Sequence, residues 1–187
     1  AGFEAVYVTG AGVTNAYLGV PDLGLITLSE LADNVARMRD VVDLPIVADA
    51  DTGFGNAVNL TRTVKVLERA GANGMQLEDQ VFPKKCGHFA GKEVIPLAEA
   101  VQKVKAATDA RSDADFVLVA RTDARSVVGF EAAMERAHAF IEAGADVTFV
   151  EAPETLDEIR AIAALPVPQV INMVLGGKTP IVEKADL

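Results

Sequence analysis

The chain has 187 residues, half of them hydrophobic, with 17 basic against 27 acidic side chains and a net charge of −10. That supplies one domain with a substantial core, while the acidic balance argues against nucleic acid or an anionic membrane surface as partner. No stretch approaches the roughly 20 apolar residues that span a bilayer. One cysteine, Cys86, excludes an internal disulfide; with no signal-peptide pattern at the start, the expectation is a cytoplasmic protein.

Short apolar runs alternate with helical segments, the pattern of an α/β fold with a parallel sheet. Ala5 to Thr9 is the first run. Thr27-Leu28-Ser29-Glu30 reads as a capping box, opening a helix to about Arg39 with Leu31, Val35 and Met38 on one face. Pro45 to Asp49 is a second strand, followed by a helix carrying Leu60, Val64 and Leu67 and closed by Gly71. Gly74 to Glu78 is the third strand, and Pro96 opens a helix with Leu97, Val101 and Val104 as its apolar stripe. Phe116 to Thr122 is the fourth strand, and a helix from Phe130 ends at Gly144. Val147 to Glu151 is the fifth strand, before a second capping box at Thr155-Leu156-Asp157-Glu158. Val170 to Asn172 reads as a sixth strand, and a further helix is expected from Pro180.

A weak internal repeat supports this reading. Ala1-Gly2-Phe3, Ala70-Gly71-Ala72 and Ala143-Gly144-Ala145 each precede, seven residues after the glycine, a polar residue that closes an apolar strand: Thr9, Glu78 and Glu151. A glycine ends a helix in the left-handed conformation, and alternate strands of a (β/α)8 barrel place side chains in the same layer. The expectation is a single barrel domain over residues 1–187 that is incomplete, with six of eight strand–helix units and the first and last missing. A doubly wound sheet is the alternative. It calls for a glycine-rich phosphate loop after the first strand, of which Thr9-Gly10-Ala11-Gly12 is only a faint version.

The strands close on Thr9, Asp49 with Asp51, Glu78 with Asp79, Arg121 with Asp123, Glu151 and Asn172. Barrel active sites lie at the C-terminal strand ends. Asp49 and Asp51, two apart, share a face; buried together they repel, and a hard cation such as Mg²⁺ relieves that. The plainer reading is a solvated loop mouth with Asp51 capping the next helix. Lys84-Lys85-Cys86-Gly87-His88 sets a thiol among cations and beside a histidine, surroundings suited to a nucleophile or a proton donor. Tyr7 lies inside the first strand, facing either core or site, and His138 reads as a surface or packing residue.

Together, Asp49-Ala50-Asp51-Thr52-Gly53-Phe54-Gly55, Glu78-Asp79-Gln80, Lys84-Lys85-Cys86-Gly87-His88 with Gly91-Lys92-Glu93, and Ala120-Arg121-Thr122-Asp123-Ala124 resemble the isocitrate lyase / phosphoenolpyruvate mutase superfamily, nearest its short lyases for 2-methylisocitrate and 2,3-dimethylmalate. The resemblance implies a TIM barrel and a homo-oligomer, a tetramer with exchanged helices. It implies a metal site for Mg²⁺ (Mn²⁺ possible) at Asp49, Asp51, Asp22 and Glu78. It implies substrate binding by Thr9, Gly10, Ala11, Gly87, His88, Arg121, Glu151 and Asn172, and catalysis by Cys86, Tyr7 and Arg121. Cys86 is the implied proton donor; the base is left open, with Tyr7, or Glu78 through a water, as candidates. The activity implied is cleavage of a 2-hydroxy di- or tricarboxylate to pyruvate or a related 2-oxo acid plus a carboxylate. An oxaloacetate hydrolase or decarboxylase, or a non-catalytic dicarboxylate-binding fragment, are the competing readings.

Overall fold

The computed structural model describes residues 2–86 and 91–183. Five strands, β1 (Val6–Val8), β2 (Ile46–Asp49), β3 (Gly74–Glu78), β4 (Val117–Thr122) and β5 (Val147–Val150), alternate with helices. The helices are α1 (Gly10–Val13, running on into a wide π turn over Thr14–Leu18), α2 (Leu28–Arg39), α3 (Ala57–Arg69), α4 (Leu97–Ala110), α5 (Arg125–Val128), α6 (Phe130–Glu142) and α7 (Leu156–Ala163). All strands are parallel and each pairs with the next in sequence, in the order β1-β2-β3-β4-β5. A doubly wound sheet reverses its strand order at a switch point; this one does not. It runs as the arc of a barrel, with every C-terminal strand end on one rim.

Local chemistry fixes the elements. Thr27 caps α2 through the Glu30 amide while the Glu30 carboxylate returns to the Thr27 amide, a complete capping box. Asn56, not Asp51, caps α3, with Asn59 closing the box. At α7 only half of the expected box forms: Thr155 accepts from the Glu158 amide, but the Glu158 carboxylate turns to the Glu154 amide and to Arg125. Gly71 and Gly144 end α3 and α6 at φ +93° and +100°, so the Ala-Gly repeat marks real helix ends. The main core packs Leu31 and Val35 of α2, Leu60, Val64 and Leu67 of α3, and Val104 of α4 against Ile46, Met75 and Leu118 of the sheet.

The expected sixth strand is reduced. Thr148 makes one parallel bridge to Gln169, with hydrogen bonds to Pro168 and Val170. Pro166 and Pro168 lack the N–H groups that a longer ladder needs. Pro180 does not start a helix within the described residues: 180–183 are irregular.

Candidate active site

The rim encloses a cavity of about 390 Å³. Tyr7, Thr9 and Ala11 of the β1–α1 turn line it, with Asp22 and Asp49 beyond them. Lys84, Cys86, Arg121, Phe149, Glu151 and Asn172 complete the lining. Ten residues singled out from sequence thus lie on one opening or directly behind it, besides Asp51 and Glu78, which sit buried beneath. Gly10 stands behind Asp49, its amide donating to Oδ2 at 3.2 Å. Thr9 Oγ1 is engaged as the cap of α1, accepting from the Gly12 amide. Gly87 and His88 lie outside the described residues. His138 is exposed on α6, away from the rim.

The acid-bearing loop after β2 is pinned from three sides. The carbonyl of Asp51 accepts from the Glu78 amide at 2.9 Å, that of Thr52 from the Lys103 ammonium at 2.5 Å, and that of Gly53 from Thr63 Oγ1 at 2.9 Å. So held, Asp51 adopts φ 47° and Gly53 φ 89°, and a side chain at Gly53 would run into Leu60 within 2.5 Å. Lys103 is 5% exposed on α4, and burial lowers its pKa.

Three buried cations, Lys84, Arg121 and Lys92, offset part of the acidic charge. Lys84 Nζ lies 2.8 Å from Asp22 and 2.7 Å from Asp51. Burial alone would lower the Lys84 pKa, but Glu78, Asp51 and Asp49 outweigh it and push it up. Asp51 is pushed up to about 6, by burial first and then by the Asp49 charge. Arg121 meets Asp123 at 2.9 Å, Glu151 at 3.2 Å and Glu78 at 3.5 Å, with Phe149 under its guanidinium at 4.9 Å. Asp123 also takes Lys92 at 2.7 Å; although burial opposes it, Arg121 and then Lys92 hold its carboxyl down at about 2. Glu78 goes the other way, raised well above the usual carboxylate range by burial despite Arg121. Tyr7, half-exposed on the edge strand, points its hydroxyl inward, where burial and the Asp49 charge hold its pKa well above the ordinary phenol value.

The donor set fits a hard divalent ion. A Cβ placed on Gly10 would sit 2.9 Å from Asp51 Oδ1 and 3.4 Å from Asp49 Oδ2, so both carboxylates face one small space. Glu78 Oε1 is buried with no hydrogen-bond partner. Among the described residues no three His, Cys, Asp or Glu side chains form a protein-only metal cage. Mg²⁺ is commonly held through one or two carboxylates, its other positions left to water or substrate oxygens, and Asp49 and Asp51 would supply such a pair. The Asp22 carboxylate, expected to hold the ion directly or through water, is bound to Lys84, which also holds Asp51.

The sequence pattern described as phosphoenolpyruvate phosphomutase matches residues 1–187. The chain belongs to the phosphoenolpyruvate phosphomutase family. It is 49% identical over 187 residues to 2,3-dimethylmalate lyase of Eubacterium barkeri, covering all of this chain and 65% of that protein. It is 54% identical over 180 residues to 2-methylisocitrate lyase of Aeropyrum pernix, covering 96% and 58%. The chain thus spans about two thirds or less of the length of these family members. Oxaloacetate acetylhydrolase with 3,3-difluorooxalacetate superposes with a TM-score of 0.93 at 38% identity, over 99% of this chain and 64% of that one. Another family structure, phosphonopyruvate hydrolase with oxalate and Mg²⁺, gives 0.79 at 36% identity, over 90% and 59%. No helix among the described residues is long and apolar enough to cross a membrane.

Lys84, Gln76, Lys92 and Lys103 carry the site's charge and geometry yet were not singled out for these roles from sequence. Signals existed for two of them. Gln76 lies two residues before Glu78 in β3 and so on its face, and Lys103 interrupts the apolar stripe of α4 formed by Ala100, Val104 and Ala107.

Proposed function

We propose that this chain carries the catalytic rim of a Mg²⁺-dependent (or Mn²⁺-dependent) carbon–carbon lyase. The substrate is a 2-hydroxy di- or tricarboxylate of the 2-methylisocitrate or 2,3-dimethylmalate type, cleaved to a 2-oxo acid and a second carboxylate. The observation that carries this reading is the single cavity onto which Asp49, Lys84, Cys86, Arg121, Glu151 and Asn172 open. Carboxylates paired with two cations and faced by a thiol suit cleavage of an anionic substrate. The likeness to the two lyases supports it.

Asp49 and Asp51, with Glu78 near, would hold the metal, which when bound would supply Lewis acidity to the substrate. Lys84 and Arg121 draw a polyanion into an otherwise acidic molecule and set its orientation. Removing the hydroxyl proton calls for a base, and Glu78, buried beneath the cavity, would serve through a water. Tyr7, holding its proton tightly, suits a hydrogen-bonding role better than that of a base. As the bond breaks, its electron pair goes to the carbon beside the departing carboxylate, and the Cys86 thiol delivers a proton to that carbon. The cation of Arg121 steadies the charge meanwhile.

The likeness to oxaloacetate acetylhydrolase favours a second reading, hydrolysis of a 2-oxo dicarboxylate. Assay of the protein with Mg²⁺ and 2-methylisocitrate, 2,3-dimethylmalate or oxaloacetate separates the two. Pyruvate release from one of the first two, abolished by EDTA and cut at least about a hundredfold in Cys86→Ser, is expected. Oxalate release from oxaloacetate alone, or turnover indifferent to both EDTA and Cys86→Ser, overturns the lyase reading.

A further inference from the structure

One uncharged polar side chain sits on the inward face of β3 beneath the rim: Gln76, 1% exposed. Both ends of its amide are engaged. Nε2 donates to Asp49 Oδ1 at 3.2 Å, and Oε1 accepts from the Tyr7 hydroxyl at 2.6 Å. The amide cannot be turned round. Asp49 also accepts from the amides of Gly10 and Asp51, so it is an acceptor throughout and requires the NH₂ end of Gln76. The carbonyl end then faces Tyr7, and the phenol must donate. A phenol has one proton, and this one is spent inward. Tyr7 lines the cavity, so the oxygen it shows there offers lone pairs only.

We propose that Gln76 determines specificity by setting the hydrogen-bond polarity of Tyr7: it makes the phenol an acceptor toward the cavity, so the ligand group seated against it must be a donor. A hydroxyl on the carbon beside a carboxylate meets that demand. A keto or carboxylate oxygen in the same place sets lone pair against lone pair, and buried polar groups left unpaired discriminate strongly. The inference rests on the cavity being the carboxylate site proposed above, and it names the residue that separates 2-hydroxy from 2-oxo acids there.

The test uses a matched pair that differs only at this atom, 2-hydroxyglutarate and 2-oxoglutarate. Their affinities are measured by calorimetry in the presence of Mg²⁺, without turnover. The native protein binds the hydroxy acid more tightly. Gln76→Leu frees the phenol proton to face the cavity, and the hydroxy-to-oxo preference falls about tenfold. The same substitution loosens Asp49, but that weakens both ligands alike and cancels in the ratio. Gln76→Glu keeps an acceptor for Tyr7 and retains the preference. Tyr7→Phe loses it, and adding Gln76→Leu to Tyr7→Phe shifts the ratio no further.

An unchanged ratio in Gln76→Leu, or an equal shift when Tyr7 is already Phe, overturns the role of Gln76 and leaves the lyase reading standing. A native preference that survives, with no cleavage of any hydroxy acid, sinks the lyase reading alone. Absence of binding by both ligands overturns both. Should Gln76→Leu fail to fold, native against Tyr7→Phe decides: equal preference in the two overturns the inference.

Discussion

The Lys84 ammonium lies 2.7 Å from the Asp51 carboxylate, and both side chains are almost wholly buried. The same nitrogen holds Asp22 at 2.8 Å. Removing it in Lys84→Met leaves two acids out of water without their counter-charge. Breaking a buried pair in this way costs about 3–5 kcal/mol, so urea unfolding is expected to show a loss of that order. Mg²⁺, taking up part of the orphaned charge, should raise the melting temperature of this variant more than that of the native protein. An equal rise in both would show that the metal and Lys84 do not answer the same acids.

Asp49 faces the space beside Gly10 that a divalent ion would share with Asp51. Asp49→Ala is expected to weaken Mn²⁺ binding, followed by electron paramagnetic resonance, at least about tenfold, with the far-ultraviolet circular dichroism unchanged. Native affinity in the variant would remove Asp49 from the metal site.

Asp123 predicts behaviour in acid. Its carboxyl sits near pH 2 in the fold because Arg121 and Lys92 overcome the cost of burial, against about 3.9 in an unfolded chain. A depressed folded-state value contributes stability above the unfolded value, and that contribution is lost as pH falls through the folded one. The contribution is therefore complete above about pH 4 and drains away toward pH 2, on the order of 2 kcal/mol. Asp123→Asn should be less stable than the native protein at pH 7, with the gap narrowing between about pH 4 and pH 2 in denaturant titrations. A gap constant across that window would refute the assignment.

Lys103 offers a case where two effects oppose. Its hydrogen bond to the Thr52 carbonyl is charge-assisted and stabilises by about 1.5–3 kcal/mol, but its ammonium is buried at a cost of similar size. Lys103→Met should therefore change global stability by less than about 1–2 kcal/mol. The loop it clamps should nonetheless loosen, and amide exchange at Gly53 to Gly55 should quicken about tenfold or more. Unaltered exchange there would show that Glu78 and Thr63 hold the loop alone.

Periodicity and end signals carried most of the fold. The apolar stripes of α2, α3 and α4 face the sheet, Thr27 caps as its spacing implies, and the Ala-Gly pairs stop α3 and α6. The failures are local and physical. Val170 to Asn172 has strand-like side chains, but only the Val170 amide joins the ladder, donating to Thr148, and the prolines before it stop the pairing from extending the other way. Asp51 resembles a helix cap, yet the chain needs five more residues and two glycines before α3 can start at Asn56. The acids of the rim were legible because they close strands. Their partners were less so, because Lys84, on a loop, meets Asp22 across 62 positions, and no local pattern encodes such a pairing. Gln76 was hidden by neutrality: in a list of charges it is silent.

In sequence, Cys86 lies between two lysines, Lys84 and Lys92, that both reach the acids of the rim. Each of these lysines is buried, one moored to Asp22 and Asp51, the other to Asp123. The carboxylates thus have a second employment as anchorage for the thiol's stretch of chain. Neutralising any one of them, by mutation or by proton, alters how firmly one foot of that stretch is planted.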